Sequence, residues 1–409
     1  MGESMCRQQA PGEGHTRHGW LGVASIAAGT FLLVATEFLP IGLLSRLALD
    51  LHVSEGRAGL SVTAPGFVAA LAAPLLVVLA GAMDRRAIIV ALTATIVASN
   101  VMAALAPDFP VFLASRLMLG LAVAGLWSFA VAAGRRLVPE SAGARATSII
   151  SAGISAGTVF GMPVGASLDG LIGWRMVFAA NAALGLLVVL VQLRYLPRLV
   201  MRTAIRASQL FAFARIPMAA AGLLASGFVA AGHFVAYTFL EPYLRNTLAL
   251  GATGVTLTLA GYAATGIVGS FVGERLAGSD VRRAFAAAAA LLAASVLLAV
   301  AARGSPAWAI AVVMLWGAAF GAVPVCVQMW MFNASPALYE AGSALMVSAF
   351  QISLAAGAAI GGVLVDNSGL DAAFLVSGFV SAAGVVIALM CRAAPAATHR
   401  STVVLENQQ

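Results

Sequence analysis

Glu37 and Arg116 are ionisable side chains inside long apolar runs, and they are the residues best placed to do chemistry. Glu37 sits about two-thirds of the way along the run from Trp20 to Ile41, within Thr36-Glu37-Phe38-Leu39-Pro40. A charge near a bilayer centre costs roughly 2.5–3.5 kcal/mol on insertion scales, so this group must face a polar cavity, find a partner or hold a proton. Arg116 lies more than a turn inside another run, counted from Pro107-Asp108-Phe109-Pro110. An arginine keeps its charge there and needs an anion or water. Counted from the opposite side, Arg116 reaches a depth compatible with Glu37. If the two pair in one conformation and part in another, a proton can be taken up and released once per cycle. The alternative is that Arg116 snorkels to the interface.

A second polar group is His233, Tyr237 and Glu241-Pro242-Tyr243. His233 is either a proton or substrate contact or a core histidine with its hydrogen bonds satisfied. Glu241 is either a recognition group for a cationic or hydroxyl-bearing solute or an interfacial i,i+4 partner of Arg245. Asn100, Asn181, Trp127, Gln328, Trp330, Asn333 and Gln351 add amides and indoles that could line a cavity, since amides pair donor with acceptor and tryptophans offer stacking faces. Of these, Trp127, Asn181, His233, Tyr237, Gln328 and Gln351 are the expected substrate contacts. Buried amides also hold membrane helices together, so each alone is a weak signal.

These side chains have to be positioned by membrane helices. Of 409 residues 61% are hydrophobic and 10% charged, which excludes an ordinary water-facing surface. The net charge of +7 comes from 23 arginines and no lysine, so a P-loop ATPase, a retinal Schiff base and a pyridoxal-phosphate enzyme are all excluded. Cys6, Cys326 and Cys391 show no paired spacing. The histidines at 15, 18, 52, 233 and 399 form no H-E-x-x-H, and no nucleophile elbow is present, so neither a metal, a cofactor nor an enzyme activity is expected. Nothing points to nucleic acid.

Apolar runs at about 20–41, 59–81, 87–106, 111–134, 146–168, 176–196, 216–244, 254–277, 284–302, 307–331, 341–365 and 372–392 are each long enough to cross a bilayer. Twelve spans place both ends on one side. Seventeen arginines share that side against five opposite, so the positive-inside rule makes both termini and the 197–215 connector cytoplasmic. The expected organisation is a disordered tail over 1–19, a six-helix bundle over 20–196, the connector over 197–215, a second six-helix bundle over 216–392 and a tail over 393–409. The two bundles echo one another. Gly165-Ala166-Ser167-Leu168-Asp169 with Gly173 and Phe178 recurs as Gly362-Val363-Leu364-Val365-Asp366 with Gly369 and Phe374, an offset of about 197. The fold class is therefore an all-α polytopic membrane protein whose two six-helix bundles are related by a pseudo-twofold repeat, the pattern of transporters that rock about a central site.

Over 20–392 the chain resembles the major facilitator superfamily in its twelve-span drug:proton antiporter branch, and is similar to purine ribonucleoside, sugar and arabinose efflux pumps. The resemblance rests on Glu37-Phe38-Leu39-Pro40-Ile41-Gly42-Leu43-Leu44, Val53-Ser54-Glu55-Gly56-Arg57-Ala58-Gly59, Asp84-Arg85-Arg86, Ile172-Gly173-Trp174-Arg175, and Ala359-Ile360-Gly361-Gly362 with Asp366-Asn367. Arg116 with Gly120 and Gly125 fits the family's R-x-x-x-G-x-x-x-x-G. The family's latch G-x-x-x-D-R-x-G-R is reduced here to Gly81-Ala82-Met83-Asp84-Arg85-Arg86. The resemblance implies that Asp84 lies near the N-terminus of span 11 and pairs with an arginine such as Arg145. An ordinary turn with flanking arginines is the other reading. Gly157, Gly161, Pro163 and Gly165 resemble the antiporter signature G-x-x-x-G-P-x-x-G, with the proline one place later. A glycine stripe also serves simple helix packing.

The resemblance implies a proton-coupled exporter in a bacterial inner membrane, acting on a small solute and protons within the bilayer and able to work as a monomer. Purine ribonucleosides are the first substrate to test, then drugs and sugars. A nutrient importer of the same fold is the nearest rival. A membrane sensor or scaffold would need a sizeable soluble domain, and the longest polar segments are about twenty residues.

Overall fold

A computed structural model of the chain describes residues 13–81, 83–199 and 207–391. The expectations for 1–12 and for 392–409, including Cys6 and the tail arginines, lie outside them. Twelve helices are long and apolar enough to cross a membrane. Numbered as spans 1 to 12, they are Glu13–Gly42, Leu60–Leu79, Arg85–Ala104, Phe109–Arg135, Gly143–Ile172, Trp174–Tyr195, Pro217–Tyr237, Ala252–Ala277, Val281–Ala301, Pro306–Ala334, Tyr339–Ser368 and Leu370–Met390. Span 1 starts at Glu13, so helix reaches into the segment expected to be a disordered tail. Span 7 is shorter than its apolar run. It ends at Tyr237, and the chain continues as a short turn of helix, Leu240–Pro242, and a π-turn, Tyr243–Thr247. Pro242 lacks the amide that would otherwise bond the Thr238 carbonyl.

Glycine decides which helices touch within each bundle. A methyl group at Gly161 would stand 2.7 Å from the Ala35 Cα, and one at Gly157 would stand 2.7 Å from the Phe31 carbonyl oxygen. Span 5 therefore lies directly on span 1. Gly357 and Gly361 face the carbonyls of Ala231 and Val235 in the same way, seating span 11 on span 7. The repeat seen in the sequence is thus a repeat of packing. Gly173 and Gly369, which end spans 5 and 11, both take positive φ, 77° and 86°.

The two bundles meet along two seams. Span 2 lies against span 11, where Gly66 backs onto Gln351, Leu354 and Ala355, and span 5 lies against span 8. The face carrying the short helix Ala207–Ala214 is the connector face below, and the other is the distal face.

Candidate functional site

Span 1 runs from the connector face towards the distal face and delivers Glu37 to the space between the bundles, 1% exposed. Its Oε1 accepts a hydrogen bond from Gln351 Nε2 of span 11 at 3.1 Å, a contact between the two halves. Its Oε2 has no partner, and neither has Gln351 Oε1. Trp127 of span 4 is close enough to interact with the carboxylate, yet its indole N–H closes no hydrogen bond. Three buried polar atoms are thus left without protein partners in one place, which is unusual for an interior.

Arg116 is fully buried, and its role differs from the expected ion pair. The guanidinium is not bonded to the Glu37 carboxylate. Nε donates to the Ser61 carbonyl at 3.0 Å, Nη1 to the Thr36 carbonyl at 3.0 Å and Nη2 to the Glu37 carbonyl at 2.9 Å. The reason lies in two prolines. In a helix the Thr36 carbonyl would bond the amide of residue 40 and the Ser61 carbonyl that of residue 65, and both of those residues are proline. Arg116 supplies the donors that Pro40 and Pro65 lack, tying spans 1 and 2 to span 4. Its charge still acts on the neighbouring carboxylate. Asn100 completes this network by donating to Thr36 Oγ1 at 3.1 Å.

Beside Glu37 the halves are sealed by rings. Phe38 of span 1 stacks with Phe234 of span 7, centroids 6.2 Å apart, and Phe350 of span 11 meets the Phe234 edge at 5.8 Å. His233 continues the cluster, stacked on Phe320 at 3.5 Å and on Tyr237 at 4.6 Å. Its Nδ1 accepts from Trp316 Nε1 at 3.1 Å, which leaves the proton on Nε2, and Nε2 is buried without a partner. Tyr237 donates to the Met162 sulfur of span 5 at 3.8 Å, a second bond across the halves, and the Tyr262 hydroxyl is also unpartnered. The arrangement brings together a packed aromatic cluster, a carboxylate and several donors and acceptors without protein partners.

A family model described as the Major Facilitator Superfamily matches residues 26–342 and 222–406. The chain belongs to that superfamily. The purine ribonucleoside efflux pump NepI of Salmonella paratyphi C is 33% identical over 366 residues, covering 90% of this chain and 92% of that protein, and its counterpart in Salmonella typhi matches equally. Two solved structures share the fold. They are the human organic anion transporter MFSD10 (TETRAN), with TM-score 0.65, 18% identity and coverage of 93% and 100%, and a bacterial homolog of the human lysosomal transporter Spinster. The latter, inward-facing and occupied, gives TM-score 0.71, 17% identity and coverage of 92% and 95%. This superfamily member is a multi-pass membrane transporter.

The superfamily latch expected around Asp84 takes another form here. Asp84 Oδ1 caps span 3 by accepting from the Arg86 amide at 2.9 Å and also accepts from the Leu199 amide at 2.8 Å, so it fastens the start of the connector. No ion pair joins it to Arg145 among the described residues; Arg145 lies over the Trp20 ring, 5.2 Å from its centroid. Arg85 folds back onto the carbonyls of Ala80 and Gly81 and over Phe129. The start of span 11 is occupied instead by the connector helix, whose buried Phe213 covers Gly342. The physical reason is local. Asp84 stands at the N-cap of its own helix, where the first-turn Arg86 amide takes its Oδ1.

Gly157, Gly161 and Gly165 face span 1, with Gly165 against Leu39, and Pro163 lies within span 5. Two expected substrate contacts are not brought to the site. Asn181 is half-buried on span 6, which packs on spans 1, 3 and 5 rather than along a seam. Gln328 is exposed beside Phe332 and Asn333, twelve residues and about 18 Å of helix rise from Trp316. Trp330 is a packing residue that donates to the Met218 carbonyl. Trp316, Phe320 and Tyr262 were not anticipated, because an aromatic residue in an apolar run carries no depth or facing signal of its own. The part played by Arg116 did have a signal: prolines four residues after Thr36 and Ser61.

Proposed function

We propose that this transporter is a proton-coupled exporter that moves a small solute out through alternating access, with purine ribonucleosides the first substrate class. The observation that carries the reading is the Glu37 carboxylate held at the seam by a single cross-half bond to Gln351, with its second oxygen free and the Arg116 charge fixed beside it. Such a group changes its surroundings whenever the halves separate, which is what coupling a proton to a conformational cycle requires. His233, Tyr237 and Phe320 are packed ring on ring here, so in this reading a flat heterocycle would stack among them only once the halves part, with Trp127 and Gln351 supplying hydrogen bonds. The identity of 33% to the NepI pumps supports the purine class.

In this reading residues 20–196 and 216–392 move as the two bundles, joined by 197–215, and the glycine stripe of Gly157, Gly161 and Gly165 with Pro163 lets span 5 follow span 1. The connector face, Asp84, Arg85 and Arg145 included, is cytoplasmic in a bacterial inner membrane. One chain suffices for a cycle. Uptake of labelled inosine into inside-out vesicles under an imposed pH gradient tests this; uptake indifferent to the gradient would contradict the coupling, and uptake of no purine would redirect the search to drugs and sugars.

A further inference from the structure

Spans 3 and 6 pack on each other away from both seams and leave a groove of about 320 Å³ between them, towards the distal face. Ala104, Ala179, Ala182 and Ala183 line it together with Val101 and Leu186, and every lining side chain is apolar. The alanines make the hollow, because their side chains end where a leucine would fill the space. Val101 and Leu186 are exposed, so in a protein with twelve membrane-spanning helices the groove opens onto the acyl chains.

Arg175 stands at the distal end of the groove, one turn before Ala179 on span 6. Its Nη2 donates to the Ala106 carbonyl, just beyond span 3, at 3.2 Å. The guanidinium lies over the Trp174 ring, 4.2 Å from its centroid, and the Trp174 indole N–H is held in turn by Asp50 at 2.9 Å. Asp50 Oδ2 lies 3.8 Å from Arg175 Nη1, beyond hydrogen-bond reach, so the acid offsets part of the charge without occupying its donors. Among the described residues one of the five donors is used, on a side chain that is 42% exposed. The cation is fixed in place and still open to an anion.

We propose that the groove binds one phospholipid of the distal leaflet, with an acyl chain lying between spans 3 and 6 and the phosphate on Arg175. Length, width and charge select this occupant. From Arg175 to Leu186 the helix rises about 16 Å, half of the roughly 30 Å hydrocarbon core, which is the depth that the chains of one leaflet reach. Spread along the groove, 320 Å³ gives a cross-section of about 20–30 Å², enough for one hydrocarbon chain and well short of the roughly 80 Å² of a helix 10 Å across. The unused donors suit a phosphate, which arginine binds through paired N–H groups. The second bundle does not repeat the site. Asp371 takes the place of Arg175 there, and Arg303, on the joint after span 9, is bonded directly to it. The groove needs neither the solute nor the proton coupling proposed above.

The test is native mass spectrometry of the full chain released from nanodiscs of equal parts palmitoyl-oleoyl phosphatidylglycerol and phosphatidylethanolamine. The parent should keep one phospholipid per chain, with phosphatidylglycerol favoured about fivefold, the worth of one arginine against an anionic lipid at a membrane surface. Ala183→Phe puts a ring into the groove from an exposed position and should lower that occupancy roughly tenfold. Arg175→Gln keeps a donor for the Ala106 carbonyl and removes the charge, so the two lipids should bind equally. Ala180→Phe, exposed on the same helix outside the groove, should match the parent and shows that a new ring alone does not displace lipid. A parent that retains no lipid, or no more than Ala183→Phe does, would overturn the site, as would a preference for phosphatidylglycerol that survives Arg175→Gln. A parent that travels as a dimer and becomes a monomer with Ala183→Phe would assign the groove to a second copy of the chain instead.

Discussion

Replacing Arg116 by methionine keeps much of the side chain's length and removes its three hydrogen bonds, so the cost measures how far spans 1, 2 and 4 depend on it. Each bond from a charged donor contributes about 1.5–3 kcal/mol. The carbonyls of Thr36 and Ser61 are left with no helical donor, because Pro40 and Pro65 offer none. Against this, a guanidinium no longer has to be desolvated, which returns several kcal/mol. The net expectation is a loss of about 2–4 kcal/mol. The decisive comparison is a double-mutant cycle. Pro40→Ala restores an amide to the Thr36 carbonyl, so Arg116→Met in that background should cost about 1–3 kcal/mol less than alone. Reversible unfolding in mixed detergent micelles, followed by intrinsic fluorescence, supplies the four free energies. Additivity within about 0.5 kcal/mol would refute the idea that Arg116 serves the proline-freed carbonyls.

Three further outcomes follow from the same contacts. Gly161→Val forces new atoms against the Ala35 Cα, where even a Cβ would stand at 2.7 Å, and should cost about 1–3 kcal/mol in the same unfolding assay. Trp316→Phe removes the donor to His233 Nδ1 and frees the ring to turn, so affinity for the transported solute should change while the pH-gradient dependence of uptake stays, as vesicle uptake at varied solute concentration would show. Asp280 caps span 9, and the Arg283 amide, with the Arg282 amide and both guanidinium charges, holds its carboxyl below the usual carboxylate range. A depressed carboxylate contributes above its unfolded pKa and loses that contribution as pH falls through the folded value. Asp280→Ala should therefore cost about 1 kcal/mol at neutral pH and almost nothing in acid, read from unfolding at the two pH values.

The twelve spans were legible because each is a long apolar run, and the repeat was legible because Gly173 and Gly369 need positive φ at equivalent joints. The burial of Glu37 and Arg116 between or within bundles also followed from the cost of charge in hydrocarbon. The detail of their partners did not. Depth counting places two residues at one level but says nothing of facing, so the guanidinium was matched to a carboxylate when two proline-freed carbonyls claimed it. Facing likewise misassigned Asn181 and Gln328, since an amide reads the same on a peripheral helix as at a seam. The end of span 7 was overrun because Leu240, Tyr243 and Leu244 are buried outside any regular span. One contact between the halves at the distal face was unreadable for another reason: it joins Gly56 to Asp366, 310 residues apart, through a backbone amide that leaves no mark in side-chain pattern.

The coupling role of Glu37 is tested most directly by Glu37→Gln in inside-out vesicles. The amide retains an oxygen for Gln351 and loses the exchangeable proton, so folding is preserved while coupling is not. With one proton exchanged per solute, a gradient of one pH unit supports about tenfold accumulation in the parent. The variant should equilibrate the solute across the membrane and accumulate none. Accumulation in Glu37→Gln that still rises tenfold with each pH unit would contradict the account.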